Sequence, residues 1–321
     1  MNLSKIISTI IVLSGFWSCQ DINDFIITSN KIDINYPNTI TKLKDLNTTS
    51  TTFEFDASIG NVYTFSDNSR ITFEPNSFVL NGSLIGSKIV KVVVKKILHK
   101  NEMLANGVST NSDDKILESA GMFYVQAFYG DKELELAPGS KYKIQIPTNN
   151  TTSSKMELFY GKETDFGLNW VEADNDPNVQ NNVFRSEWKV NNGQGYAVGI
   201  ECFPERLHWV NCDYFIENPA SNSSKPCLEA DIAPNGDVID ITAYCVFKNL
   251  NIVLSPCCNM DKAICFQPLP IGEEVVYILI GKGKTNYYIG HMDKKTEKDE
   301  ITKIKCEVTS LDDIKIFLSK L

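Results

Sequence analysis

What the sequence has little of narrows the reading first. There is no cysteine between residues 20 and 201. Histidine occurs only at His99, His208 and His291. A serine or cysteine hydrolase needs a histidine beside its nucleophile, usually oriented by a third group, and the Gly-x-Ser-x-Gly elbow is also missing. The three histidines are scattered and read as surface or packing residues, so no catalytic residue is assigned. A basic surplus is lacking too. The 31 Lys and Arg face 40 Asp and Glu, a net charge of −9, and such a chain is not built to hold a phosphate backbone, so nucleic acid is excluded as a partner. Beyond residue 16 no apolar run approaches the roughly 20 residues that a membrane-spanning helix needs.

What is present begins at the N-terminus. Lys5 precedes an apolar run from Ile6 to Phe16, and Trp17-Ser18 lead into Cys19. A basic start, a short apolar stretch and a small residue before a cut is the layout of a secretory signal. The cysteine behind Ser18 makes it similar to a bacterial lipoprotein signal, which implies removal of residues 1–18 and lipidation of Cys19. Residues 19–50 are polar, ending in Asn47-Thr48-Thr49-Ser50. They hold little that could form a core and read as the lipidated tether. The expected address is therefore an exported, outer-membrane lipoprotein facing the periplasm or the cell surface, held to the membrane through Cys19.

The chain beyond the tether is long enough for two domains. From residue 53 to about 160 apolar residues alternate with lysine. Val90, Val92 and Val94 share one face of a long run, and Lys141 to Ile146 alternates up to Pro147. Gly130-Asp131 separates two such runs as a hairpin turn would. Period-two alternation without helical spacing predicts half-buried antiparallel sheets. Residues 161 to about 195 are rich in turn chemistry, as in Asp174-Asn175-Asp176-Pro177-Asn178, so a boundary is placed near residue 190. After Pro234-Asn235-Gly236-Asp237 a second series follows, with Ile239, Ile241, Ala243, Cys245 and Phe247 on one face, and later Ile304, Cys306 and Val308. Leu311, Ile314, Phe317, Leu318 and Leu321 fall at helical spacing behind Ser310, a capped C-terminal helix. The predicted fold class is all-β: two antiparallel β-sandwich-like domains, 51–190 and 191–321, with a short C-terminal helix.

Eight cysteines crowd the second half: Cys202, Cys212, Cys227, Cys245, Cys257, Cys258, Cys265 and Cys306. An even number in an exported chain reads as a disulfide framework of at least two bridges, with pairing left open. Cys245 and Cys306 sit on apolar strand faces and are expected to be buried, bridged or free. Adjacent Cys257 and Cys258 are expected to take different partners. Cys257, Cys258 and Cys265 with His208 and Cys212 could assemble a zinc site, but no Cys-x₂-Cys spacing occurs, and the disulfide reading is preferred. Asp174, Asp176 and Asn178 alternate as calcium ligands do, yet Val179 and Arg185 stand where an EF-hand wants Gly and Glu. No metal or other cofactor is assigned.

Several stretches, Ile71-Thr72-Phe73-Glu74-Pro75-Asn76-Ser77-Phe78-Val79, Leu117-Glu118-Ser119-Ala120-Gly121-Met122-Phe123 and Trp209-Val210-Asn211-Cys212-Asp213, resemble uncharacterised cell-envelope lipoproteins of the Bacteroidota. The first is also similar to the strand–proline–turn signature of a β-sandwich module shared by ankyrins and netrin receptors, which mediates protein contacts. These resemblances imply an exported, β-rich protein and carry over no catalytic residue. The signal, the tether, the acidic surface and the missing catalytic constellation point to a non-enzymatic, lipid-anchored envelope protein that binds or scaffolds other envelope components. The alternative is a carbohydrate- or calcium-binding module of a glycan-uptake system, with aromatic side chains as a stacking platform.

Overall fold

The alternation of apolar and charged side chains forms the strands it predicts. A computed structural model describes residues 26–27, 32–33, 46, 50–148, 155–164, 167–173, 182–190, 195–217, 222–233, 237–260, 263–298 and 301–321. The signal, Cys19, most of the tether and the segment with Asp174, Asp176 and Asn178 lie outside the described residues, as do Asn191–Gly193 and Pro234–Gly236.

The first half contains β1 (Thr51–Asp56), β2 (Asn61–Thr64), β3 (Arg70–Phe73), β4 (Phe78–Leu80), β5 (Ile89–Ile97), helix α1 (Lys100–Asn106), β6 (Lys115–Tyr129), β7 (Tyr142–Pro147), β8 (Glu157–Thr164), β9 (Gly167–Glu172), β10 (Val183–Lys189), β11 (Tyr196–Cys202) and β12 (His208–Phe215). Along one sheet the order is β9-β8-β12-β6-β5-β1; along a second it is β10-β11-β7-β3-β2. Val90, Val92 and Val94 of the first sheet are buried against Ile71, Phe73, Tyr142, Ile144 and Ile146 of the second. That core is the sandwich the alternation calls for, and Lys91 on the other face of β5 is exposed.

The second half contains β13 (Cys227–Ile232), β14 (Val238–Phe247), β15 (Ala263–Cys265), β16 (Glu274–Gly283), β17 (Tyr287–Lys295), β18 (Ile301–Thr309) and helix α2 (Leu311–Leu318). Its eight-stranded sheet begins with the short strand 253–254, continues β14-β16-β17-β18-β13-β15 and ends in the short strand 258–260. The strands are antiparallel except for one parallel pair, β13 with β18. The sheet curls around a core of Ile241, Ala243, Cys245, Phe247, Tyr277, Leu279, Ile304 and Cys306. The all-β class with a short C-terminal helix is therefore what the chain adopts. Ser310 caps α2, accepting a hydrogen bond from Asp313 N at 3.1 Å, and Ile314 and Leu318 are buried.

Two expectations need correction. The sheets do not divide near residue 190. β11 lies between β10 and β7, and β12 between β8 and β6, so the first half runs to Phe215 and Cys202 and Cys212 belong to it. The turn-rich sequence at 161–195 marks loops within the sandwich, because turn chemistry reports a reversal of the chain and not which sheet the chain rejoins. Secondly, α1 carries too few residues for a helical period to show. Its signs were Glu102, whose carboxylate accepts from Leu98 N and His99 N, and Gly107, which ends it in the left-handed region at φ 62°.

The two halves share a third core. Ile97, Met122, Phe159 and Trp170 from the outer face of the first sheet meet Met103 and Leu104 of α1, Tyr244, Val246, Ile278 and Ile280 of the curled sheet, and Ile314 and Leu318 of α2. β14 and β16 thus bury both faces, which is why Val275 to Ile280 is an unbroken apolar run. A buried polar segment ties the same seam. Trp170 Nε1 donates to Ser109 O at 2.7 Å, Asn111 Nδ2 to Gln267 Oε1 at 2.8 Å, and Thr110 N to Val253 O at 2.7 Å.

Candidate functional site

The histidines expected to be packing or surface residues each have such a place. His99 precedes α1, His291 stacks on Phe317 with ring centres 4.6 Å apart, and His208 pairs with Glu133 at 3.0 Å. The residues considered for zinc are not brought together. His208 opens β12 at the sandwich surface, Cys212 is inside the sandwich core, and Cys257, Cys258 and Cys265 lie on the curled sheet. Among the described residues no group of three or more His, Cys, Asp or Glu is placed to hold a metal.

Of the eight disulfide candidates, Cys227 and Cys265 are bridged; Cys202, Cys212, Cys245, Cys257, Cys258 and Cys306 carry free thiols. At least two bridges were expected, and one is formed. Cys245 and Cys306 are buried, as their strand faces require. Burial pushes the Cys245 thiol well above its usual range and the Cys306 thiol up to about 12. Cys202 and Cys212 hydrogen-bond to one another inside the sandwich; burial first, and that contact second, hold the Cys212 thiol well up. Cys257 and Cys258, expected to take different partners, have their sulfurs 3.0 Å apart.

Two clefts remain. One, of about 380 Å³, lies on the seam and is lined by Leu98, Lys100, Glu118, Ser119, Ile146 and residues 248–251. Its polar groups are engaged in holding the halves together. Lys100 Nζ donates to Phe247 O and Lys248 O at 2.8 and 2.9 Å, and Asn251 Nδ2 to Leu98 O and Ser119 O at 2.9 and 2.7 Å. Close to Glu118 is the Asp213 carboxyl, which burial pushes well above the carboxylate range against the hydrogen bonds of Ser119 and Asn211. This cleft is a joint.

The other cleft, of about 370 Å³, opens on the sandwich surface between Leu134–Leu136, Tyr160 and residues 205–209. Trp209 sits against Gly161, where an added Cβ would come within 2.5 Å of the Trp209 Cβ, so glycine lets the ring approach the backbone of β8. Tyr124 stacks on His208 at 5.8 Å and tilts against Trp209 at 5.0 Å. The Arg206 guanidinium lies over the Tyr160 ring at 5.2 Å. The Tyr160 hydroxyl accepts from Glu205 N at 2.8 Å, and the Tyr142 hydroxyl donates to Arg206 O at 3.1 Å. Gln126 Nε2 donates to Glu133 Oε1 at 3.0 Å. Hydrogen bonding from His208 is the leading cause that holds the Glu133 carboxyl below its usual range. Tyr160 and Trp209 line the cleft, exposed Glu205, Arg206 and His208 stand at it with mixed charge, and Glu133 lies beside His208. His208 has φ 71°, a rare conformation for a side chain of this size, and the turn before β12 imposes it.

Nothing in the sequence signals that Tyr160, His208 and Trp209 converge on one cleft. The cleft is assembled from β8, residues 134–136 and the loop into β12, which meet because β12 inserts between β6 and β8. No protein-family model matches the chain, and no curated protein matches it.

Proposed function

We propose that the chain is a non-enzymatic, lipid-anchored protein of the cell envelope, held by Cys19 in the outer membrane, and that it binds or scaffolds other envelope components through the Trp209 cleft. The observation that carries this reading is the cleft itself: Tyr160 and Trp209 beside exposed donors and acceptors of both charges. That combination suits recognition, because the rings supply contact area and the rim fixes orientation. The signal layout and polar tether support the address. The packing of His291 on Phe317 and the wide separation of the three histidines support the non-enzymatic reading.

The same observation favours a second reading, binding of a glycan. A pyranose ring offers an apolar face of C–H groups to an aromatic wall and hydroxyls to a charged rim. A glycan array probed with and without calcium, backed by tryptophan fluorescence titration, tests it. We expect binding that Trp209→Ala weakens by about 0.5–1.5 kcal/mol, the usual worth of an aromatic contact beyond its buried area. Calcium dependence would point instead to Asp174, Asp176 and Asn178. Silence on the array would leave protein partners as the ligand class. For the anchor, Cys19→Ala should leave the membrane fraction; a variant that still sediments with membranes after a high-salt wash would overturn the lipid anchor.

A further inference from the structure

Cys227, Cys265 and Cys258 stand in one row across three neighbouring strands. Cys265 in β15 is directly opposite Cys227 of β13 on one side and directly opposite Cys258 on the other. Residues opposed in register project to the same face of a sheet. Cys258 accordingly packs against Cys227, Ala263 and Cys265 in one small cluster. Cys265 therefore has two sulfur neighbours, and it is bonded to one of them, Cys227.

The strand order β13, β15, 258–260 puts the free sulfur and the bonded one on opposite sides of Cys265. Thiol–disulfide exchange needs that arrangement: a thiolate attacks a disulfide sulfur while the sulfur beyond it leaves. Cys258 also has the surroundings of a reactive thiol. Its sulfur is half-buried, with the exposed Cys257 thiol 3.0 Å away. Hydrogen bonding from Cys257 first, and the Lys225 ammonium beside it second, pull the Cys258 thiol down to about 6.

We propose that these cysteines form a thiol–disulfide exchange site in which Cys258 is the nucleophile and the Cys227–Cys265 bond its substrate. The Cys258 thiolate attacks Cys265 Sγ. The Cys258–Cys265 bond forms, the Cys227–Cys265 bond breaks, and its electron pair leaves on Cys227, which takes up a proton. No oxidant is consumed, and the chain passes between two disulfide isomers. A thiol or disulfide from outside meets the row at Cys257 and Cys258, the side away from the buried Cys227.

Full-length protein equilibrated in a glutathione redox buffer, alkylated without reductant and mapped by tandem mass spectrometry of its linked peptides tests this. The expected result is a Cys258–Cys265 linkage beside Cys227–Cys265, with Cys227 alkylated in matching amount. Cys258→Ser should abolish the new linkage and keep the old one. Cys227→Ser should move Cys265 onto Cys258 entirely. Cys265 found only with Cys227 at every glutathione ratio would overturn the proposal, as would Cys265 bonded to Cys257. If Cys227→Ser fails to fold, the wild-type map alone decides.

Discussion

The two halves use the same raw material, alternating strands, to close a core in opposite ways. The sandwich faces two sheets at one another, so each sheet commits one face to the core of Phe73, Tyr142 and Val92. The second half bends one sheet around Phe247, Tyr277 and Cys306 and so commits its inner face to itself. Its outer face along β14 and β16 is then left apolar, and the first half covers it together with α2. The first sheet of the sandwich carries Ile97, Met122, Phe159 and Trp170 on its own outer face, so each half covers an apolar face of the other. The halves are thus distinct in architecture and dependent in stability.

The sharpest way to break that dependence is at Trp170, which is fully buried on the seam. We expect Trp170→Ala to cost about 3–5 kcal/mol, and to shift a single unfolding transition if the halves unfold together. Two resolved transitions in a denaturant titration of the wild type would show that the seam does not couple them. Next is the bridge at the edge of the curled sheet. Cys265→Ser should cost about 2–4 kcal/mol by freeing the unfolded chain, and more than Cys227→Ser, because Cys258 can replace Cys227 but nothing can replace Cys265. Equal losses in thermal melts would remove that distinction.

A smaller change separates the halves by pH. The Asp213 carboxyl of the sandwich titrates above its unfolded value, so the folded state binds the extra proton and stability falls as pH rises from about 4 through the shifted range. Asp213→Asn should flatten that slope in a stability-against-pH series. Cys306 acts at the other end. Its unfolded thiol ionises from about 9 upward while the folded one waits until about 12, so stability declines across that interval, and Cys306→Ala should blunt the decline. The mildest test is Ser310→Ala at the start of α2. It should cost about 1 kcal/mol and leave the sandwich unaffected by near-ultraviolet circular dichroism.

Much of the fold could be read from the chain, and the reasons are local. Val90, Val92 and Val94 face inward because alternation fixes which side of a strand is apolar, and Gly130-Asp131 turns the chain between Tyr129 and Lys132. β16 runs on to Gly283 before the chain turns into β17. Val308 was set beside Ile304 and Cys306, yet it is exposed; it lies at the β17 end of the pairing, past the reach of the inner core. What could not be read was assembly. Nothing between residues 190 and 215 states that β11 and β12 enter the sandwich, so the boundary moved and the Trp209 cleft went unseen. Cysteine was misleading for a related reason. Cys202, Cys212, Cys245 and Cys306 behave as small apolar core residues, and their number overstated the bridges.

The parallel pairing of β13 with β18 also fixes an order of events. β16, β17 and β18 pair as successive hairpins as they emerge. β13 emerges first among that sheet's long strands and finds its parallel partner only when residues 301–306 arrive. Until then Leu228 and Ile264 have no lid from Ile304, and an edge rich in cysteine stands open. Long-range pairing of this kind slows folding and prolongs exposure to aggregation. A chain interrupted before Ile301 would therefore lack more than its final strand. It would be a sheet cut in two, its disulfide region free to pair wrongly, and quality control would meet it as unfinished.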